Sequence, residues 1–316
     1  VLLRMLGKAD VLLENYKPGT MEKWGLGYEE VLKEKFPALI HCRISGFGGD
    51  GPWGGYPGYD AIIQAMAGWF SVNGEEGSNP TRLGLAAVDM GTGLYSTIAI
   101  LLAMAEREKS GEGQYLDMTL YDCAVSLMHP HIPNYNYSGK VPGPTGNAHP
   151  NISPYDTFRT KTIDIFIGAG NNRAWGKLCQ ELDRPDMIDD PRFATNLDRV
   201  NNRDDLKMEL ESALMKINGH EICDSLAKAG LAVGPIHNTQ QVVDHPHTHH
   251  RGMSVERDWY KMWGSPIKLS RTPGGIRYLP PKFGADTHEI LKDFGFELGE
   301  IDSLIDTKVL LNERQE

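Results

Sequence analysis

Asp89 stands at the end of an apolar approach, Leu85-Ala86-Ala87-Val88. It precedes Met90-Gly91-Thr92-Gly93 and a stretch that reads as a long helix. A carboxylate at a helix N-terminus is kept ionised by the helix dipole, and glycines at 91 and 93 let a substrate come close to the backbone. An ionised, desolvated carboxylate is a competent nucleophile toward a thioester. The same residue type in the same place is also a favoured N-cap, and from position alone the cap is the simpler reading.

A second candidate is Asn15-Tyr16-Lys17-Pro18-Gly19, followed by Lys23 and Trp24. It fits a turn with proline at a helix start. It also fits an anion and adenine site, with the helix N-terminus and lysines facing phosphates and Tyr16 or Trp24 offering a flat surface to a base. The run Gly46-Phe47-Gly48-Gly49-Asp50-Gly51 has the GxGxxG spacing. A dinucleotide fingerprint must open directly into a helix. Here the segment from Pro52 to Gly58 intervenes, so a flexible loop over a ligand and a plain surface loop are the readings that remain. His245, His247, His249 and His250 crowd together, but Pro246 breaks a helix there and the expectation is a solvated loop rather than a metal site. Cys42, Cys123, Cys179 and Cys223 are far apart with no CxxC pair. They are expected to be unbridged and buried, which fits the cytoplasm or another reducing compartment such as the mitochondrial matrix.

These residues need elements to position them. Ala9 to Leu13 and Ala38 to Ile44 read as strands, with residues 19 to 34 helical between them. Tyr59 to Phe70 and Gly91 to Lys109 read as helices, and Gln114 to Thr119 alternates like a strand. Strands separated by helices predict an α/β domain with a largely parallel sheet. Prolines and glycines across 129–155 predict a long irregular linker. Beyond it, Thr162 to Ile167 reads as a strand and Ala174 to Leu182, Arg203 to Ile217 and His220 to Ala229 as helices, with Asn218-Gly219 as stop and restart. A strand-like stretch Ser265 to Pro273 and helices Thr287 to Phe294 and Leu298 to Ile305 complete the pattern. The expected organisation is a large domain over 1–128, the linker 129–155, a small α/β domain over 156–252, and a return segment 253–316 packing on the large domain.

The 316 residues are 40% hydrophobic and 23% charged, the profile of a soluble globular protein. A net charge of -10 argues against non-specific nucleic-acid binding. No apolar run approaches the ~18 residues of a membrane span, the longest lying around Ile98 to Met104. Val1 to Leu6 lack signal-peptide features and read as the middle of an amphipathic helix.

Several blocks in order resemble family III CoA-transferases, the CaiB/BaiF group, which also holds formyl-CoA transferase, carnitine CoA-transferase and α-methylacyl-CoA racemase. They are ADVLLENYKPGTMEKWGLGY (9–28), ISGFGGDGPWGGYPGYD (44–60), RLGLAAVDMGTG (82–93), GEGQYLDMTLYD (111–122) and GNAHPNISPY (146–155). The resemblance implies a Rossmann-like large domain, a smaller α/β domain, and two chains interlocked as a homodimer. It implies an acyl-CoA donor and a carboxylic acid acceptor, with coenzyme A as a substrate and no permanently bound cofactor. By motif, Asp89 falls where the family has its catalytic aspartate. Asn15, Lys17, Gly19, Lys23 and Trp24 match its CoA-contacting segment, and Tyr59 falls in the loop beside the aspartate. Backbone N–H groups near Gly91 are expected to meet a developing oxyanion.

Two departures bear on function. The family pattern begins with one more strand-helix-strand unit that nothing here matches, so a fragment, or a truncated homologue that only binds CoA, is one expectation. Racemases of the family carry a His-Asp pair where this chain has Tyr59-Asp60, which favours transfer over racemisation. The GNAHPNISPY and GAGNN blocks lean toward members handling dicarboxylic acids such as succinate or glutarate.

Overall fold

A computed structural model describes residues 1–311 of the chain. The chain folds as two units, Val1–Gly146 and Asn147–Glu316.

In the first unit, β1 (Val11–Glu14), β2 (Ile40–Ser45) and β3 (Tyr115–Thr119) form a parallel sheet in the order β1-β2-β3. The register pairs Leu12 with His41, Glu14 with Arg43, and Arg43 with Asp117. Alternation along each strand gives the sheet two chemically different faces. On one, Ile44 packs with Ile63, Val88, Leu120 and Ala124. On the other, Leu12 and Tyr115 pack with Tyr28, Leu32 and Leu39. Each fully buried aliphatic side chain here contributes about 1.5–3 kcal/mol of apolar burial.

Parallel neighbours need long crossovers, and these carry the candidate site residues. The crossover from β1 to β2 is not the single helix the spacing predicts over 19–34. Thr20–Lys23 is one turn, Gly25 takes φ 71° and breaks it, and Tyr28–Leu32 continues as a wide π turn into Lys33–Lys35. The crossover from β2 to β3 holds the glycine-rich loop, the helices Asp60–Met66 and Trp69–Val72, and the long helix Ala87–Ser110. Gly68 at φ 91° splits the predicted helix 59–70 in two.

The helix Ala87–Ser110 starts four residues before the predicted Gly91. It ends on Gly111 at φ 80°, whose N–H reaches the Arg107 carbonyl, a left-handed C-cap. It packs on β2 and β3 and buries Val88, Gly91, Thr92, Ser96 and Ala103. Among the described residues it is also the one helix long and apolar enough to cross a membrane by length and composition, longer than the run the sequence singles out. Leu94, Ile98, Leu101 and Leu102 on it are exposed.

The second unit is built on the antiparallel sheet β4 (Tyr155–Phe158), β5 (Ile165–Gly168) and β6 (Ala232–Pro235). The helices Asn172–Glu181, Arg203–Leu214 and Gly219–Lys228 contribute Trp175, Leu178, Leu206, Leu210 and Leu226 to its core. Asn218 caps the last of these through its side chain, the predicted stop and restart. Arg199, 0% exposed, lies in this core and donates to the carbonyls of Ser153, Phe193 and Gly170 and to Asn172 Oδ1. Among the described residues no carboxylate pairs with it; burial pushes its pKa down, and its guanidinium lies 5.3 Å over the Trp175 ring.

Three expectations of irregular or strand structure change. His131–Ser138 is a helix inside the proline-rich stretch, with Pro133 in the first turn, where its missing N–H is unpaired in any helix. Pro246–His250 is a short helix with proline at its first position, so the histidine-rich run is not a loop. No group of three or more His, Cys, Asp or Glu suited to a metal occurs among the described residues. Ser265 to Pro273 carries no strand; the hairpin β7 (Ser254–Arg257) and β8 (Tyr260–Trp263) precedes it. The helices Thr287–Asp293 and Leu298–Asp306 follow as predicted, and all four cysteines are buried and unbridged.

Candidate active site

A cleft of about 600 Å³ opens in the first unit at the C-terminal ends of β1 and β2. This is where ligands sit in open parallel α/β sheets. Asn15, Tyr16 and Lys17 line it from the turn after β1, and Ser45 and Gly46 from the end of β2. Tyr56 to Asp60 line it from the exit of the glycine-rich loop, and Asp89, Thr92 and Gly93 from the start of the long helix. Asn15, Lys17, Tyr59 and Asp89 therefore meet in one cleft although they are far apart in sequence. Gly19, Lys23 and Trp24 are not among its lining residues. They belong to the one-turn helix that follows, where Gly19 at φ 86° makes the turn and Trp24 meets Tyr16 edge-on at 5.1 Å.

Asp89 is not the N-cap its position suggests. It is the third residue of the helix, whose N-cap, Ala86, has no side-chain acceptor. The cap comes from another element. Asp60 Oδ2 accepts the N–H of Val88 at 2.9 Å and that of Asp89 at 3.2 Å. Asp60 Oδ1 accepts from Gln64 Nε2 at 2.6 Å. Gln64 is fully buried; its Nε2 also donates to the Leu85 carbonyl at 3.1 Å, and its Oε1 accepts the Leu83 N–H at 3.0 Å. Asp60 and Gln64, one turn apart on their helix, thus fix the approach 83–89 that delivers Asp89.

This arrangement alters the expected electrostatics. Asp89 is exposed as a residue, yet the protein packed around its carboxyl raises its pKa, and the Asp60 carboxylate raises it further. Both effects oppose the helix dipole, which favours the anion. The oxyanion expectation also changes. The N–H groups of Val88 and Asp89 are taken by Asp60, and that of Met90 by the Ala86 carbonyl at 3.0 Å.

The glycine-rich loop is self-packed rather than open. Its ends meet so closely that a Cβ on Gly46 would lie 2.7 Å from Gly58 Cα. Trp53 folds back on Phe47 and Tyr121, with ring centroids 5.6 and 5.5 Å away. Tyr59, 75% exposed, stands at the cleft mouth.

Gln64 is a candidate that the sequence reading passed over, and Asp60 was weighed there only as part of the Tyr59-Asp60 pair. The i, i+4 spacing of Asp60 and Gln64 at a helix start was a visible signal for both.

The sequence profile of CoA-transferase family III matches residues 1–287. Acetyl-CoA:oxalate CoA-transferase of Acetobacter aceti is 36% identical over 271 residues, which is 85% of this chain and 69% of that relative. Succinate–glutarate CoA-transferase of Agrobacterium fabrum is 35% identical over 295 residues, 92% of this chain and 74% of that relative. The crystal structure of a CaiB/BaiF family protein from Brucella suis superposes with a TM-score of 0.83 at 38% identity, covering 93% of this chain and 77% of that one. The chain belongs to CoA-transferase family III, and its mixed α/β fold is of the CaiB/BaiF type. It is an enzyme of the CoA-transferase class, for which coenzyme A thioesters and free carboxylic acids are the substrates.

Proposed function

We propose that this protein moves coenzyme A from an acyl-CoA donor to a free carboxylic acid through covalent intermediates on Asp89. The observation that carries this reading is the single cleft in which Asp89 meets Asn15, Lys17 and Tyr59. An Asp89 oxygen attacks the donor thioester carbonyl, the C–S bond breaks, and a mixed anhydride and CoA thiolate result. The thiolate attacks the aspartyl carbonyl, the donor acid leaves as carboxylate, and an aspartyl-CoA thioester remains. The acceptor carboxylate attacks that carbonyl and expels the thiolate, giving a second anhydride. The thiolate then attacks the acceptor acyl carbon, releasing the new acyl-CoA and restoring the Asp89 carboxylate.

Lys17 offers a cation to the coenzyme phosphates, and the half-exposed Tyr16 and Trp24 offer ring faces nearby. Gly19 and Lys23, on the adjoining turn, complete the coenzyme segment. Because the first-turn N–H groups are spent on Asp60 and Ala86, the Asn15 carboxamide is the better donor for a developing oxyanion. The ends of the glycine-rich loop, Gly46 and Tyr56 to Gly58, line one side of the cleft, and closure of that side on bound substrate would keep water from the anhydrides. The names of the relatives favour small dicarboxylic acids as substrates, including succinate, glutarate or oxalate. The raised pKa of Asp89 makes its carboxylate more basic and so more nucleophilic.

An interlocked homodimer is part of this reading, supported by the exposed apolar stripe Leu94, Ile98, Leu101 and Leu102. So is a division into a coenzyme-binding domain over 1–128, a linker 129–155, a small domain 156–252 and a return segment 253–316. Four buried free thiols suit the cytoplasm or another reducing compartment.

The test is acyl exchange. The protein is mixed with succinyl-CoA and a panel of carboxylic acids, and new acyl-CoA species are followed by mass, with Asp89→Ala as control. A new acyl-CoA that disappears in Asp89→Ala supports the reading. Exchange that survives the substitution would sink it. Uptake of solvent deuterium at the α-carbon without an acceptor would point instead to racemase chemistry.

A further inference from the structure

One face of the parallel sheet carries polar side chains where an interior sheet face is usually apolar. Glu14, His41, Arg43, Tyr115 and Asp117 share it by register. Glu14 is the buried residue of β1 and is 7% exposed. One of its carboxylate oxygens accepts the Tyr16 N–H at 2.6 Å, and the other lies 3.7 Å from His41 Nε2. The two side chains are 4% and 3% exposed, and among the described residues neither His41 nitrogen has a hydrogen-bond partner. A buried carboxylate in such a place is costly unless it is held by donors. Here the nearest donor within hydrogen-bond distance is the backbone of the coenzyme segment.

Arg43 makes the second tie. Its guanidinium lies 3.8 Å from Glu22 on the turn Thr20–Lys23 and 3.4 Å from Asp117 on β3. It also lies against Gly49 of the glycine-rich loop, where an added Cβ would come 3.0 Å from its Nη2. Its side chain is 11% exposed and its Nε has no hydrogen-bond partner among the described residues. The segment from Asn15 to Trp24 is thus held near its start by the Glu14 hydrogen bond and near its end by the looser Arg43–Glu22 ion pair. Lys17 and Gly19 lie between the fastenings.

We propose that Glu14 and Arg43 are positioning residues that hold the segment Asn15–Trp24 in its coenzyme-binding shape without touching the reacting atoms. The inference rests on the reading of that segment as the coenzyme site. A charged hydrogen bond removed from such a tie is worth roughly tenfold to a hundredfold in binding.

The experiment measures the dissociation constant of free coenzyme A by calorimetry, and kcat and KM for succinyl-CoA exchange, on the full chain. Glu14→Leu keeps the volume and removes the acceptor; Glu14→Gln keeps an acceptor oxygen. The expected result for Glu14→Leu is a dissociation constant and KM raised by about tenfold or more, with kcat within about threefold of wild type. Glu14→Gln is expected to restore binding to within about threefold. Arg43→Met, if the first variant does not fold, is expected to show a split of the same sense but only about threefold to fivefold in the dissociation constant and KM, with Arg43→Lys between it and wild type. An unchanged dissociation constant in Glu14→Leu or Arg43→Met, beside normal wild-type binding, would overturn this inference alone. Equal loss of kcat and binding would do so as well, since it would mark a general structural role. Wild-type protein that binds no coenzyme A would overturn both the reading of the segment and this inference.

Discussion

The Asp60 carboxylate accepts the backbone N–H of Asp89 at 3.2 Å across 29 residues of chain. One carboxylate therefore caps the helix that presents the other, and the two charges are brought close by the same contact. Asp60 both places Asp89 and makes it a weaker acid.

Replacing Asp60 with Ala removes the acceptor for Val88 and Asp89 and a partner of buried Gln64. Loss of a cap of this kind costs about 1–2 kcal/mol of stability, read by denaturant unfolding. The displaced helix start should lower kcat between about tenfold and a hundredfold, with the dissociation constant of coenzyme A little changed. A variant with wild-type kcat would show that Asp60 does not set the geometry of Asp89.

Asp60→Asn separates the two roles. The amide oxygen still accepts the N–H groups, but the charge that raises the Asp89 pKa is gone. The acid limb of the exchange rate against pH should then move to lower pH. A shift to higher pH would contradict the stated electrostatic relation.

Asp89→Asn should abolish exchange and slightly stabilise the fold at pH 7. The folded pKa is raised above the ordinary 3.8. The stability tied to this group is therefore fully present below that value and is lost as pH rises through the folded pKa. At neutral pH the folded state carries an unfavourable anion, which Asn removes. Because the side chain is exposed, screening limits the gain to about 0.5–1 kcal/mol. Melting curves at pH 7 that place the variant below wild type would count against this.

Gly58→Ala puts a methyl group 2.6 Å from Gly46 Cα and 3.2 Å from Ile63 Cδ1, at the neck of the glycine-rich loop. The neck must open, at a cost of about 1–3 kcal/mol. Since Gly58 and its neighbours line the cleft, KM for the acyl-CoA should rise as well. An unperturbed variant in both assays would mean that the loop is looser than its closed neck indicates.

The three strands of the parallel sheet were legible, the first as the short apolar run Val11 to Leu13 and the third by alternation across Gln114 to Thr119. The block around Asp89 read from position alone as a helix cap or a nucleophile site, but not as the first turn inside a helix. Ala87 and Val88 look like an approach because no capping side chain precedes them; the cap sits on Asp60, and no local rule reaches that far. The break at Gly25 within 19–34 was hidden by helical spacing on both sides of it, while glycine at positive φ decided the outcome. The helix His131–Ser138 was masked by its prolines, one of which lies where a helix tolerates it. The polar sheet face was missed for a different reason. Alternation identifies which residues share a face, but only strand register shows that Glu14, His41 and Arg43 stand side by side.

Arg199 gives the second unit a tie that takes up no proton in acid. Carbonyl oxygens hold its guanidinium, and they do not titrate in the range where carboxylates do. Acid that neutralises Asp and Glu elsewhere leaves this junction of Ser153, Phe193 and Gly170 intact. It differs in this from the Arg159–Glu211 pair of the same unit: although burial opposes it, Arg159 holds the Glu211 carboxyl below its usual range, so that pair is lost as pH falls while the Arg199 junction stays.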